Sequence, residues 1–260
     1  MMKIGIAQVD IQWERSYENM KKIEKLIEEA SKENIDLVLF PEMSLTGFTM
    51  NIYKLFQSES EIINWAKQVA IKNNINLGFG FAAPIDNKGV NRYAIISKDG
   101  DKLANYTKMH PFSYGKEDIN YYKGIDIVSC KINEFNMAPF ICYDLRFPEI
   151  FQIASKESQL IIVAANWPKS RENHWIALLR ARAIENQCYI VGINRVGEGD
   201  GIEYNGGSLF IDPNGDMLND ITSNEELIIR DIDINEVKKI REAFEIKNDR
   251  RERLYYSYMK

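Results

Sequence analysis

The chain has 260 residues, 45% of them hydrophobic and 27% charged, with a formal net charge of −5. This is the composition of an ordinary folded protein with enough sequence for one large core, not of a disordered or fibrous chain. The acidic balance argues against nucleic acid or an anionic membrane as main partner, and no apolar run approaches the roughly 20 residues of a membrane span. The opening "MMKIGIAQVDIQW" reaches an acid within its first ten residues and lacks a signal-peptide pattern, so a cytoplasmic location is expected. Cys130, Cys142 and Cys188 are an odd, widely spaced set, which is no disulfide framework. With no CxxC pair and only His110 and His174, no zinc site is expected either.

"KIGIAQV" (3–9) reads as a first strand. A helix is expected over 16–33, with Ser16 as N-cap and an apolar stripe of Tyr17, Met20, Ile23, Ile27 and Ala30 at spacings of three and four. A strand over 35–42 stops after Pro41, a helix fits 58–73, and "INLGFGFAA" (75–83) is a third strand. Residues 91–108 read as a hairpin turning at Asp99-Gly100. Strands then fit 125–130, 136–142 and 159–164, followed by a helix over 172–186 and a strand over 188–194. A second hairpin is expected over 205–219 around Pro213-Asn214-Gly215, then a strand over 226–232 and a helix near 234–243. Helix-separated strands mixed with hairpins predict an α/β fold with mixed sheets, and the absence of a linker or repeat predicts one domain.

Three strands end in reactive groups. "LVLFPEMSLTGF" ends in Glu42, "LANYTKMHPFSYGKED" carries Lys108 and then Glu117, and "APFICYDLRFPE" ends in Cys142. A residue at the end of a buried strand is held rigidly while its side chain reaches a cleft. Together these residue types cover one chemistry. Cysteine attack on a carbonyl needs the thiol proton removed, which a carboxylate can do, while an ammonium can stabilise a thiolate. The ammonium and a backbone N–H beside the cysteine would stabilise the resulting oxyanion. The carboxylic acid just formed can protonate the leaving amine. Singly, each residue has an ordinary reading as core filler, cap or solvated charge; the joint occurrence carries the argument.

"FPEMSLTGF", "YTKMH" and "CYDLRFPE" resemble, in order and separation, the glutamate, lysine and cysteine motifs of the nitrilase superfamily of carbon–nitrogen hydrolases. The resemblance spans about residues 3–245. "ANWPKSRENHW", "ALLRARAIENQCYIVGINRVG" and "YNGGSLFIDPNGDML" narrow it to bacterial omega-amidases. It implies an αββα sandwich of two mixed β-sheets flanked by helices, formed by a carbon–nitrogen hydrolase domain over 1–245. It also implies a C-terminal tail, 246–260, that docks or contacts a dimer partner. Glu42 would be general base and acid, Lys108 the oxyanion stabiliser, Cys142 the nucleophile and Glu117 a second glutamate that orients the lysine and substrate. The Tyr143 N–H would complete the oxyanion hole. No cofactor or metal is implied. The expected partners are a small-molecule amide, water and a second copy in a homodimer.

The implied reaction is hydrolysis of the distal carboxamide of a short dicarboxylic acid monoamide, such as 2-oxoglutaramate or succinamate, through a cysteine thioester. A carbamoylase or another aliphatic amidase with the same triad is the alternative enzyme, and a binding protein without turnover is the alternative from another class. Asn166 and Trp167 follow a buried strand and are candidate substrate contacts, against a reading as packed turn residues. Arg146 is a candidate for a substrate carboxylate, against an ion pair with Asp144 or Glu149. His110 suits a hydrogen-bonded loop position, with a cysteine–histidine dyad as the rival reading. His174 suits a helix surface or pocket wall, and Cys188 the core. The proline at position 111, where relatives often carry leucine, leaves the lysine–glutamate spacing intact.

Overall fold

The computed structural model describes residues 1–55 and 57–258; position 56 and the last two of the 246–260 tail lie outside the described residues. The elements, in order, begin with β1 (Met2–Gln8), α1 (Ser16–Lys32), β2 (Leu37–Leu39), α2 (Glu59–Asn73), β3 (Asn76–Ile85), β4 (Lys88–Ile96) and β5 (Lys102–Thr107). Next come α3 (Glu117–Asn120), β6 (Tyr121–Tyr122), β7 (Cys130–Ile132), β8 (Phe135–Ile141), α4 (Pro148–Ala154), β9 (Leu160–Ala165) and α5 (Glu172–Asn186). The chain continues through β10 (Tyr189–Asn194), β11 (Val196–Gly199), β12 (Ile202–Asn205), β13 (Leu209–Ile211), β14 (Glu226–Ile232), α6 (Ile234–Ala243) and α7 (Glu252–Tyr258).

The first sheet runs β14-β1-β2-β3-β4-β5, with β6 paired to β4; the second runs β13-β10-β9-β8-β7; β11 and β12 form a separate hairpin. Both main sheets mix parallel and antiparallel pairs. Period-two alternation assigns the faces. Ile4, Ile6, Leu37 and Leu39 point into a core shared with Met137, Leu160 and Ile162 of the second sheet. Their neighbours Ala7, Val38 and Phe40 point the other way, onto Met20, Ile23 and Ile27 of α1 and Ile62 and Ala66 of α2. Phe151 of α4 and Trp175, Leu179 and Ala183 of α5 cover the second sheet. The result is an αββα sandwich of two mixed sheets. No described helix is long and apolar enough to cross a membrane.

Several local expectations are corrected. Ser16 is the first helical residue of α1, not its cap; the cap position is Arg15, which supplies no side-chain bond. Tyr17 lies outside the buried stripe and is 60% exposed. The strand expected over 35–42 is regular only over Leu37–Leu39, because the chain must leave the sheet to present Glu42. Residues 125–129 are not a strand; pairing begins at Cys130. The hairpin expected over 205–219 forms but is shorter: β13 meets the return chain through an antiparallel Ile211–Met217 bridge and the Leu218 N–H donating to Phe210 O at 2.8 Å, while residue 205 belongs to β12, paired with β11. By contrast, Ser58 and Glu61 close a full capping box at the start of α2. Beyond residue 245 the chain runs back along α4, with Lys247 Nζ donating to Ser155 O, Arg250 Nη2 to Gln152 Oε1, and Glu252 pairing with Lys156.

Candidate active site

Three strand ends of the two sheets converge. Beyond β2 the chain turns at Pro41 and delivers Glu42 beside β3, where only glycine fits: a Cβ on Gly80 would stand 2.5 Å from Pro41 O and 2.6 Å from Glu42 Cα. Lys108 directly follows β5, and Glu117 opens α3. All three side chains are buried, with exposures of 0%, 1% and 0% for Glu42, Lys108 and Glu117. Lys108 Nζ lies 2.8 Å from Glu42 Oε1 and 2.8 Å from Glu117 Oε2.

Backbone and amide donors complete this cluster. Asn91 Nδ2, from β4, donates to Glu42 Oε1 and Glu117 Oε1, both at 2.8 Å. The Phe112 N–H donates to Glu117 Oε2 at 2.6 Å, and the Asn166 N–H to Glu42 Oε2 at 2.9 Å. Buried charges persist only when paired and hydrogen-bonded in this manner. Burial alone would pull the Lys108 ammonium down, but Glu117 and Glu42 outweigh it and hold the group well above the ordinary lysine value. Burial raises the Glu117 carboxyl, against the pull of Lys108.

Cys142 directly follows β8 and opens a tight turn over Cys142–Arg146. Its φ is +44°, a left-handed conformation that non-glycine residues seldom adopt and that marks functional positions. Sγ lies 3.9 Å from Asn166 O. Burial pushes the thiol well up, and Glu42, as a charge and as a hydrogen-bond acceptor, pushes it further; Lys108 opposes this only in part. Burial and Glu42 thus both favour the thiol form of Cys142 over the thiolate.

Asp144 fixes the cysteine turn and is itself fully buried. Oδ2 accepts from the Ile141 N–H at 3.0 Å and the Tyr106 hydroxyl at 2.8 Å. Oδ1 accepts from the His110 N–H at 3.0 Å and lies 2.8 Å from His110 Nδ1. An ionised carboxylate only accepts, so Nδ1 carries the imidazole proton. The ring stacks on Phe147 at 3.9 Å between centroids. His110 is thus the hydrogen-bonded loop histidine, tying the lysine strand to the cysteine turn.

Above the thiol is a narrow cleft of about 50 Å³ bounded by Phe48, Phe112, Tyr143, Trp167 and Tyr204. Tyr143 stands in the first turn after Cys142, where backbone N–H groups have no intrahelical acceptor. Trp167 is anchored by its Nε1–H to Arg171 O at 2.8 Å and its N–H to Asn194 Oδ1 at 2.8 Å. Arg146 lines the same cleft, with its guanidinium 4.9 Å from the Trp167 ring. Among the described residues it has no ion pair, so pairing with Asp144 or Glu149 is not its role; its Nη2 lies 3.4 Å from His174 Nδ1 on the exposed start of α5. Cys188 is buried in the core. Among the described residues no group of His, Cys, Asp and Glu side chains could hold a metal ion.

Residues 3–242 match the model of the carbon–nitrogen hydrolase family. This chain belongs to that family. A 2-oxoglutaramate amidase of Bacillus subtilis is 33% identical over 97% of this chain and 98% of its own length. An omega-amidase of Yersinia enterocolitica is 34% identical over 83% of each chain. Among solved structures, a carbon–nitrogen hydrolase superfamily protein of Xanthomonas campestris, with an arsenic adduct in its active site, superposes with a TM-score of 0.89. It is 27% identical, and the match covers 96% of this chain and 97% of that one.

Within this carbon–nitrogen hydrolase, sequence reasoning placed Glu42, Lys108, Glu117, Cys142, Tyr143, Asn166, Trp167 and Arg146, and the fold brings all eight to one locality. It passed over Asn91, Asp144 and Arg171. Asn91 lies in a strand that also carries Lys88 and Arg92, so its residue type alone gave no signal, and Asp144 was weighed only as a partner for Arg146. Arg171 lies in a loop without periodicity, and nothing in the chain order points it toward the cysteine.

Proposed function

We propose that this carbon–nitrogen hydrolase is an omega-amidase that hydrolyses the distal carboxamide of short dicarboxylic acid monoamides, of the succinamate or 2-oxoglutaramate type, releasing ammonia. The observation that carries the chemistry is the buried Glu42–Lys108–Glu117 cluster set against the Cys142 thiol. The names of the two sequence relatives support the substrate class, and a short cleft flanked by guanidinium groups suits it.

In this reading Cys142 Sγ attacks the amide carbon while its proton passes to Glu42. Burial and Glu42 favour the thiol form, so proton transfer accompanies attack. Lys108 Nζ and the Tyr143 N–H receive the negative charge on the carbonyl oxygen. As the tetrahedral species collapses, the C–N bond breaks and Glu42 returns the proton to the departing nitrogen, leaving a thioester and ammonia. Water, deprotonated by Glu42, then attacks the thioester; the C–S bond breaks, and the thiol and a dicarboxylate are regenerated. Glu117 and Asn91 hold Lys108 and Glu42 in place throughout.

Ammonia release from succinamate, measured beside release from an N-carbamoyl amino acid, tests the reading. The wild-type protein should favour succinamate, and Cys142→Ala should abolish turnover without loss of folded structure. A preference for the N-carbamoyl substrate would make it a carbamoylase. Full activity of Cys142→Ala would end the mechanism.

The proposal extends to a hydrolase domain over 1–245 with its tail, a homodimer and a cytoplasmic setting. The support for a dimer is an apolar surface beside the tail: Ile153 of α4 and Ile184 of α5 are 55% and 50% exposed, and α7 adds the exposed Tyr255 and Tyr258.

A further inference from the structure

Arg171 lines the cleft with its guanidinium 5.4 Å from the Phe112 ring. Arg146 stands in the same cleft over Trp167. Neither arginine makes an ion pair among the described residues, and the nearby acids are engaged elsewhere: Glu172 Oε1 accepts from Asn205 Nδ2 at 2.9 Å, and Glu203 pairs with Lys169 at 2.6 Å. Two uncompensated cations beside one narrow cleft, in a protein of net charge −5, call for an anion. Stacking occupies the face of a guanidinium and leaves its N–H edges free, the geometry that takes a carboxylate through paired hydrogen bonds.

The floor of the cleft has the opposite character. Glu42 and Glu117 set carboxyl oxygens on either side of Lys108 behind the thiol. The floor offers acceptors and one ammonium that is already paired, so a substrate carboxylate finds its free cations at the arginines, while a neutral carboxamide can approach Cys142. We propose that Arg171 is the second arm of a carboxylate clamp whose first arm is Arg146, and that this clamp sets which end of a monoamide substrate reaches the cysteine. The inference rests on the amidase reading above and adds to it a specificity-determining residue. The Arg171 main chain already serves the fold by accepting the Trp167 indole N–H, so its side chain can be changed without removing that bond.

The test compares kcat and KM for succinamate and for butyramide, the same chain length without the carboxylate. In the wild-type protein kcat/KM for succinamate should exceed that for butyramide. Arg171→Ala should lower kcat/KM for succinamate about 10- to 100-fold, the size of a hydrogen bond to a charged group, mainly through KM, and leave butyramide within about twofold. Arg171→Lys, which keeps the charge without the fork, should recover part of the loss. If Arg171→Ala leaves the succinamate-to-butyramide ratio unchanged, or lowers both rates equally, the clamp is wrong. If the wild-type protein itself shows no preference for succinamate, the substrate class beneath it fails instead.

Discussion

Asn166 holds Glu42 from two sides: its N–H donates to Glu42 Oε2 at 2.9 Å and its side-chain Nδ2 donates to the Glu42 main-chain oxygen at 2.6 Å. Its own main-chain oxygen faces the Cys142 sulfur. One residue at the end of β9 thus fixes the spacing of the proposed base and nucleophile, which come from different sheets.

Removing the side-chain arm tests that spacing. Asn166→Ala leaves the N–H bond but frees the Glu42 main chain, with a stability cost of about 1–3 kcal/mol for the buried group left unpaired. Small misplacements of a reacting group can cost about 100-fold in rate, so kcat should fall by about 10- to 100-fold with KM little changed. A rise in KM at constant kcat would return Asn166 to the role of substrate contact read from the sequence.

The reach of the sequence followed a physical rule. Glu42 and Cys142 were legible because each ends an apolar run that had to be a buried strand, and Lys108 because it closes a hairpin expected from its turn; strand ends in a stacked-sheet fold face a common edge. Asn91 and Asp144 were not, because their importance lies in hydrogen bonds to residues 49, 26, 38 and 34 positions away. No local pattern records such partners. The boundary errors have the same origin. The strand read over 35–42 pairs regularly only over Leu37–Leu39, because bringing Glu42 into the cluster turns the chain out of the sheet, a tertiary choice that propensity does not contain.

The charges around the Cys142 thiol make two substitutions move in opposite directions. Burial and Glu42 hold the Cys142 thiol up, with Lys108 pulling it down. Labelling of the free wild-type protein by iodoacetamide should therefore climb with pH through pH 9 without a plateau. Glu42→Gln removes a negative charge and an acceptor, so labelling should quicken although amide turnover falls about 10²–10⁴-fold with loss of the base. Lys108→Met should slow labelling at every pH. A plateau near neutrality in the wild-type protein would mean a resting thiolate, and the concerted proton transfer would have to be abandoned.

Lys247, where the chain returns to α4, gives the protein a pH-dependent stability. Its ammonium is pulled down from 10.5 to about 8, first by burial and then by Arg241, with Arg250 and Lys156 adding to the effect. A lysine lowered in this way carries a cost in the folded state that is fully present below pH 8, where folded and unfolded chains are both protonated. Between about pH 8 and 10.5 the folded chain releases the proton first, so the unfolded chain binds more protons and this group's contribution makes stability rise with pH. Lys247→Met keeps the alkyl packing and removes the charge. Urea unfolding at pH 7 and at pH 9.5 should show the wild-type protein gaining stability relative to Lys247→Met as pH rises. A difference between the two proteins that stays flat over this range would show that Lys247 titrates as an ordinary exposed lysine and that the basic cluster does not strain the return of the tail onto α4.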